Sequence, residues 1–251
     1  MMVNDLRVLA VVAHPDDESL MSGTLALQSR AGIDVTLAVA CNGNMGGLMG
    51  AEPRVRADTR HREMQEVCEV LGVSLEWLDY GDDDFMEHYH DHYQDMEMAF
   101  RNLVRRVDPQ LLITLSPDDY HHHHRLTAEV TLNASINAGN ANIKSEEPAS
   151  GGIPITLHCA PMPGCPFEPT MYVDIGETFE VKIEALKAHR SQHQYLEDHH
   201  KTDIFAQTEA AARYYGSICG VNFAEPFAFA RRFNRAAPID RLAPFFPTIR
   251  T

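Results

Sequence analysis

Residues 8–18 read VLAVVAHPDDE, an apolar run that ends abruptly in one imidazole and three carboxylates. The unbroken aliphatic run is typical of a strand buried on both faces of a parallel sheet. Because ligand sites in such sheets lie at the carboxyl ends of the strands, we expect the four polar residues to meet a ligand there. The alternative is a helix N-terminus, where acidic residues stabilise the helix dipole. It accounts for Glu18 and one aspartate, but not for His14 beside both.

Strand-like and helix-like segments alternate along the chain. This βαβα order predicts one domain over residues 1–251, an α/β fold with a Rossmann-like, mostly parallel sheet and helices on both faces. A long surface connection is expected at 139–152. Further strands are predicted at 34–40, 75–78, 110–115, 155–159 and 170–174, and helices at 19–31, 56–71, 96–107, 126–138, 178–196 and 206–217.

Composition excludes several classes of function. A net charge of −15 leaves no basic stripe for the phosphates of nucleic acid. The chain has no apolar stretch of 18 residues and no basic-then-apolar leader, so neither a membrane span nor a signal peptide is expected. Its five scattered cysteines lack CxxC spacing, which favours a reduced, cytoplasmic protein. A homo-oligomer is compatible with this composition.

A second polar cluster, LSPDDYHHHHR at 115–125, follows the fourth predicted strand. The first and fourth strands of a doubly wound sheet commonly flank its switch point, so both clusters should face one crevice. His121 and His124 could face the same side if the run begins a helix. We expect two of the four histidines to point inward and two to be exposed.

The first cluster has the spacing of a hydrolytic metal site. His14 and Asp17 are three residues apart, so both can reach one ion from a tight turn while Asp16 stays free. A free carboxylate beside a metal-activated water is what hydrolysis requires.

Together these motifs resemble the LmbE-like, or PIG-L, family of zinc-dependent N-deacetylases. The AHPDDE sequence at 13–18 is the family's signature, and HHHHR at 121–125 matches its HPDHR motif except at the two central positions. The similarity extends in the family's order over residues 8–227. Its other elements are NG with GG at 42–47, RHRE at 60–63, Asp82, Lys182 with HRSQ at 189–192, and AEPF at 224–227.

The resemblance implies a zinc ion held by His14, Asp17 and His124. Two nitrogens and one oxygen suit zinc and leave a position for water. Asp16 would act as general base. His121 would stabilise the oxyanion or deliver a proton to the amine.

The family often has aspartate where this chain has His123, and that aspartate would support the neighbouring imidazole. Its replacement leaves open whether His121 acts as a protonated or a neutral donor. Asp118 and Asp119 are candidates to take over the supporting role.

Arg60 and Asp82 are the candidate contacts to the hydroxyls of a small-molecule sugar substrate. For Arg60 the alternative is an exposed helix salt bridge with Glu63, and for Asp82 it is a turn residue. The segment 82–93 that follows is either a loop at the rim of the site or the start of a helix.

We therefore predict a zinc-dependent hydrolase that removes the N-acetyl group of an N-acetylglucosaminyl-type substrate. A second possibility keeps the site but cleaves another amide, such as a thiol conjugate. A dinucleotide-binding module is disfavoured, because strand one lacks GxGxxG and carries carboxylates. A non-catalytic metal protein is disfavoured by Asp16 beside the ligand pair.

Overall fold

An eight-stranded sheet is the centre of the molecule, which we describe from a computed structural model over residues 5–230, 241–246 and 248–250. Its order is β3-β2-β1-β4-β5-β7-β6-β8. The five strands from β3 to β5 are parallel, and the last three join by antiparallel pairing. The strands are β1 Arg7–Val12, β2 Asp34–Cys41, β3 Ser74–Tyr80, β4 Leu111–Thr114, β5 Ile155–Cys159, β6 Met171–Asp174, β7 Ala224–Phe229 and β8 Ile249–Arg250.

Helices alternate with the parallel strands. They are α1 Ser22–Arg30, α2 Pro53–Leu71, α3 Phe85–Asp91, α4 Tyr93–Val107, α5 His122–Ala138, α6 Phe179–Ala188, α7 Arg190–Tyr195 and α8 Ile204–Cys219. The helix predicted at 19–31 is instead a 3₁₀ turn, Asp17–Leu20, followed by α1, and the one at 178–196 divides at His189. Residues 82–93 adopt the second of the two predicted forms, since α3 and the start of α4 lie there. Across the described ranges, each helix is too short or too polar to cross a membrane.

Two apolar layers cover the sheet. On β1, Val8, Ala10 and Val12 pack in one layer with residues of α1, α2 and α6, while Leu9 and Val11 pack in the other with α4 and α5. Successive strand residues point to opposite faces, so a continuous apolar strand needs cover on both. The predicted Rossmann-like α/β fold with helices on both faces is confirmed.

The order in which the chain adds parallel strands to the sheet reverses at β1. From β1 the chain adds β2 and β3 on one side, and then crosses to add β4 and β5 on the other. The carboxyl ends of β1 and β4 are therefore neighbours at a switch point, as predicted. The two polar clusters of the sequence begin directly beyond these two ends.

Candidate metal centre

His14, Asp17 and His124 form a compact donor set at the switch point. Oδ2 of Asp17 lies 3.3 Å from Nδ1 of His14, and its Oδ1 lies 3.1 Å from Nε2 of His124. One ligand atom from each of the three lies within 4.8 Å of the others. Two imidazole nitrogens and one carboxylate oxygen are one of the donor sets found at catalytic zinc sites, which keep a further position for water. The residues present therefore fit zinc.

The charges of this donor set favour a cation. Burial alone would raise the pKa of Asp17, but His124 and His14 outweigh it and hold this pKa well below its usual range. Burial opposes protonation of His124, yet Asp17 and Asp119 raise its pKa to about 10. A proton on His124 thus neutralises the carboxylates, and a divalent cation would displace it.

Asp119 orients His124. Its Oδ2 lies 2.9 Å from Nδ1 of His124, and its Oδ1 accepts a hydrogen bond from the backbone N–H of His121 at 2.9 Å. A carboxylate behind a metal-binding histidine fixes the ring and its tautomer. Asp119 is one of the two candidates named above to support the side chain of His121, but its side chain contacts His124 instead.

Asp16 lies beside the donor set in a strained conformation. Its φ of 114° falls in the left-handed region, which costs a non-glycine residue energy and is common at active sites. Oε2 of Glu18 stabilises this turn by accepting the backbone N–H of Asp16 at 3.0 Å. Burial raises the pKa of Asp16 to about 6, against the lowering effect of Arg60. A carboxylate with this pKa is suited to accept a proton near neutral pH.

Arg60 is a buried partner of Asp16. The residue is 3% exposed, and its Nη2 lies 3.2 Å from Oδ2 of Asp16 and donates to the carbonyl of Pro15. The alternative of an exposed salt bridge with Glu63 is wrong, because Glu63 accepts hydrogen bonds from Ser191.

The glycine-rich loop after β2 packs against Arg60. A Cβ at Gly46 would overlap Nη1 of Arg60, so any larger residue there would require the Arg60 side chain to shift. Asp82 holds this loop, since its two carboxylate oxygens accept the backbone N–H groups of Gly43 at 2.9 Å and Met45 at 3.1 Å. Asp82 is thus more than a turn residue.

A buried network of ion pairs supports the turn that carries Asp16 and Asp17. Oε1 of Glu18 lies 2.9 Å from Nε2 of His189, and both side chains are fully buried. Nζ of Lys182 donates to the carbonyl of Ser19 and, at 2.6 Å, to Glu225. These contacts give a structural role to the Lys, His-x-Ser-Gln and Ala-Glu-x-Phe elements of the sequence.

Replacing His189 with leucine should destabilise the protein by about 3–5 kcal/mol, the usual cost of removing one partner of a buried ion pair. Burial opposes the charge on His189, but Glu18 outweighs it and raises the pKa of His189. Because the pKa of His189 is higher in the folded than in the unfolded protein, its ion pair contributes its full stability below the unfolded pKa of about 6.5. This contribution is lost as the pH rises through the pKa of His189 in the folded protein.

Urea unfolding of wild type and His189→Leu from pH 6 to 9 checks this prediction. The difference in unfolding free energy should be largest at pH 6 and should shrink toward pH 9. Arg190→Gln, which breaks an exposed pair with Glu66, is the matched control and should cost less than about 1 kcal/mol. A difference that grows with pH would show that His189 is neutral in the fold.

All four consecutive histidines line the cavity at the site, but only one is exposed, so the expectation of two inward and two exposed is wrong. Only His122 of the four is exposed, because α5 begins there and turns His123 and His124 toward the sheet. His121 is half-buried, and burial with the nearby His14 and His124 lowers its pKa to about 4. Of the two forms left open by the sequence, this favours a neutral His121.

All seven predicted site residues line one open cavity of about 600 Å³. The sequence did not predict the contribution of α7 and the segment after it. The His-x-Ser-Gln element was the only signal in this region, because helical periodicity does not indicate which residues face a distant cavity. The additional lining residues there are Gln192, His193, Tyr195, Leu196, His200 and Thr202.

Fold and site define an α/β protein with a two-histidine, one-aspartate centre at the switch point of its sheet. The model of the PIG-L family, described as GlcNAc-PI de-N-acetylase, matches residues 9–135. A relative from Bacillus cereus, the probable N-acetyl-alpha-D-glucosaminyl L-malate deacetylase 2, is 32% identical over 205 residues, covering 77% of this chain and 87% of its own. The chain belongs to the PIG-L family.

Other similar proteins carry related names. Diacetylchitobiose deacetylase of Thermococcus kodakarensis is 29% identical over 239 residues, which cover 90% of this chain and 84% of the relative. Mycothiol S-conjugate amidase of Streptomyces coelicolor is 30% identical over 154 residues, 52% of each chain.

Solved structures share the fold. The N,N'-diacetylchitobiose deacetylase of Pyrococcus horikoshii superposes with a TM-score of 0.75 at 24% identity, covering 89% of this chain and 83% of the other. GalB, the 4-carboxy-2-hydroxymuconate hydratase of Pseudomonas putida KT2440, also gives 0.75 at 22% identity, covering 92% of this chain and 100% of its own. Since a deacetylase and a hydratase share this fold, activity must be argued from the site.

Proposed function

We propose that this chain is a zinc-dependent hydrolase that removes acetyl from an N-acetylglucosaminyl-type substrate. The observation that carries the proposal is the His14, Asp17 and His124 donor set, with the carboxylate of Asp16 beside it, outside the set and paired with Arg60. The names of the relatives, which include deacetylases of N-acetylglucosaminyl compounds, support the reaction and the substrate class.

Zinc held by His14, Asp17 and His124 would polarise the amide carbonyl and lower the pKa of water. Asp16 accepts the proton of the water that attacks this carbonyl. When the C–N bond breaks, the proton on Asp16 passes to the amine nitrogen, so that a free amine leaves with acetic acid, which ionises to acetate at neutral pH. Arg60 keeps Asp16 oriented and partly offsets the effect of burial on its pKa.

His121 stabilises the negative charge that develops on the carbonyl oxygen. With its pKa lowered to about 4, it is neutral at physiological pH and donates through an imidazole N–H. Its ring stacks on that of His124, with centroids 4.7 Å apart, which places it beside the donor set. This role needs no proton release by His121.

The sugar lies in the cavity that Arg60 and Asp82 line, and these two residues remain the proposed contacts to its hydroxyls. The whole chain, 1–251, acts as one deacetylase domain. All five cysteines are free, which supports a reducing compartment such as the cytoplasm.

The second candidate function is hydrolysis of a different amide, as in a thiol conjugate. Its support is the amidase from Streptomyces coelicolor, although the similarity spans only 52% of each chain. The same zinc set and Asp16 would serve, so the two candidates differ only in the substrate.

A panel of amides tests the proposal. The zinc-loaded protein should release equimolar acetate and free amine from N-acetylglucosaminyl compounds, as detected by mass spectrometry. Cleavage confined to thiol-conjugate amides would replace the proposed substrate with the second candidate.

Replacing His121 with alanine should lower kcat by about 10²–10³-fold, the effect of removing one oxyanion donor. Zinc content should not change, because His124 is the ligand. Turnover and metal analysis of the same preparation check both expectations, and His122→Ala, an exposed neighbour that also lines the cavity, is the control for zinc content. Loss of zinc from His121→Ala would make His121 a ligand and contradict the assignment.

A further inference from the structure

We propose that His123 is a positioning residue for the metal ligand His14, accepting a hydrogen bond from the second nitrogen of its ring. The inference rests on the proposed zinc site. Nε2 of His14 lies 3.0 Å from Nδ1 of His123, and the ring centroids are 5.3 Å apart. The HPDHR pattern has aspartate at this position, so a contact between two imidazole rings here is a feature of this chain and not of the pattern.

The direction of the hydrogen bond follows from the two nitrogens of His14. Its Nδ1 faces Oδ2 of Asp17 at 3.3 Å, inside the donor set. A ring nitrogen that binds a metal carries no proton, and a neutral imidazole has a proton on only one of its two nitrogens. With zinc bound, the proton of His14 is therefore on Nε2, and Nδ1 of His123 must be the acceptor.

The acceptor is held in place by packing. His123 is 8% exposed, and its ring lies 5.2 Å from that of Phe85, which is fully buried. It lies in the first turn of α5, one residue before His124. The first turn of α5 therefore supplies the ligand His124 and also His123, which supports the ligand His14. Partners of this kind fix the tautomer and orientation of a metal-binding histidine.

The rival role for His123 is direct metal binding. His14, His121 and His123 also form a donor group within 4.8 Å. That group contains no carboxylate to neutralise a cation, whereas the group of His14, Asp17 and His124 has the carboxylate of Asp17. In addition, the two groups share His14, whose Nδ1 already faces Asp17. These two differences favour positioning over ligation.

Zinc affinity of the metal-stripped protein, measured by competition with a chelating dye, tests the inference without any substrate. His123→Leu should bind zinc about 10–100-fold more weakly, the usual cost of losing an outer partner of a metal ligand. His123→Asn should bind nearly as tightly as wild type, because its Oδ1 can accept where Nδ1 does. His122→Leu is the exposed control and should not change the affinity.

Nitrogen-15 NMR of the zinc-loaded proteins gives a signature that packing alone would not produce. Wild type and His123→Asn should show a protonated, hydrogen-bonded Nε2 on His14, and His123→Leu should lose that hydrogen bond. Unchanged affinity in His123→Leu, or equal weakening in His123→Asn, would overturn the inference. So would a second zinc per chain that is lost with His123. If wild type bound no zinc, the zinc site of the proposed function would be wrong, and this inference with it.

Discussion

Replacing Asp16 with asparagine should lower turnover by about 10²–10⁴-fold while zinc stays bound, because the variant keeps the donor set and loses the general base. Asp16 contacts Arg60 and does not belong to the His14, Asp17 and His124 group. Steady-state kinetics with metal analysis of the same sample measures both quantities. Asp118→Asn, at an exposed position near the same end of the sheet, should change neither.

The pH profile gives a second view of Asp16. Burial raises its pKa to about 6, and it must be ionised to accept a proton, so activity should fall as the pH drops through this value. Bound zinc would move this limb to lower pH, because a cation favours the carboxylate. The residual activity of Asp16→Asn should lack the limb. A limb that persists, or zinc lost together with activity, would contradict the role of Asp16.

Replacing His124 with alanine should abolish stoichiometric zinc binding and, with it, activity. It removes one of three protein ligands, so the loss of affinity should exceed the roughly 10–100-fold cost of an outer partner. Asp119→Asn should show that smaller loss of affinity. Asp119 contacts Nδ1 of His124, whereas Nε2 of His124 is the nitrogen that faces Asp17 in the donor set.

Calorimetric titration of the metal-stripped proteins with zinc measures these affinities directly. The expected order of affinity is wild type, then Asp119→Asn, then His124→Ala, with His122→Ala equal to wild type. Full zinc occupancy in His124→Ala would show that the ion binds elsewhere.

Much of the parallel half of the fold was predictable because β1, β2 and β4 are short apolar runs followed by polar residues. In β1 the run ends at His14, and in β4 it ends before the acidic and histidine cluster. These two ends meet because β1 and β4 pair at the switch point. Local pattern and a general rule of topology were sufficient here.

The antiparallel half was less accessible to sequence reasoning. The strands β5 and β6 were expected, but their pairing with β7 was not, because such pairing depends on contacts far apart in the chain. The short α3 was one of two alternatives, and its apolar anchor, Phe85, is a single residue without periodicity.

The partners of the site residues depend on tertiary contacts that spacing does not encode. For Arg60 the sequence predicts a substrate contact, with an ion pair to Glu63 as the alternative, and its contact with Asp16 appears only in the structure. Asp119 was one of two candidates to support His121, and its side chain contacts His124. His123 was treated as a departure from a motif, and its contact with His14 appears only in three dimensions.

The most direct test of the account is a zinc titration of metal-stripped protein, with acetate release from an N-acetylglucosaminyl substrate as the readout. The account predicts no release without metal, a linear rise as zinc is added, and a plateau at one zinc per chain. Equal release from the metal-stripped protein, or a plateau reached only at a different stoichiometry, would contradict it.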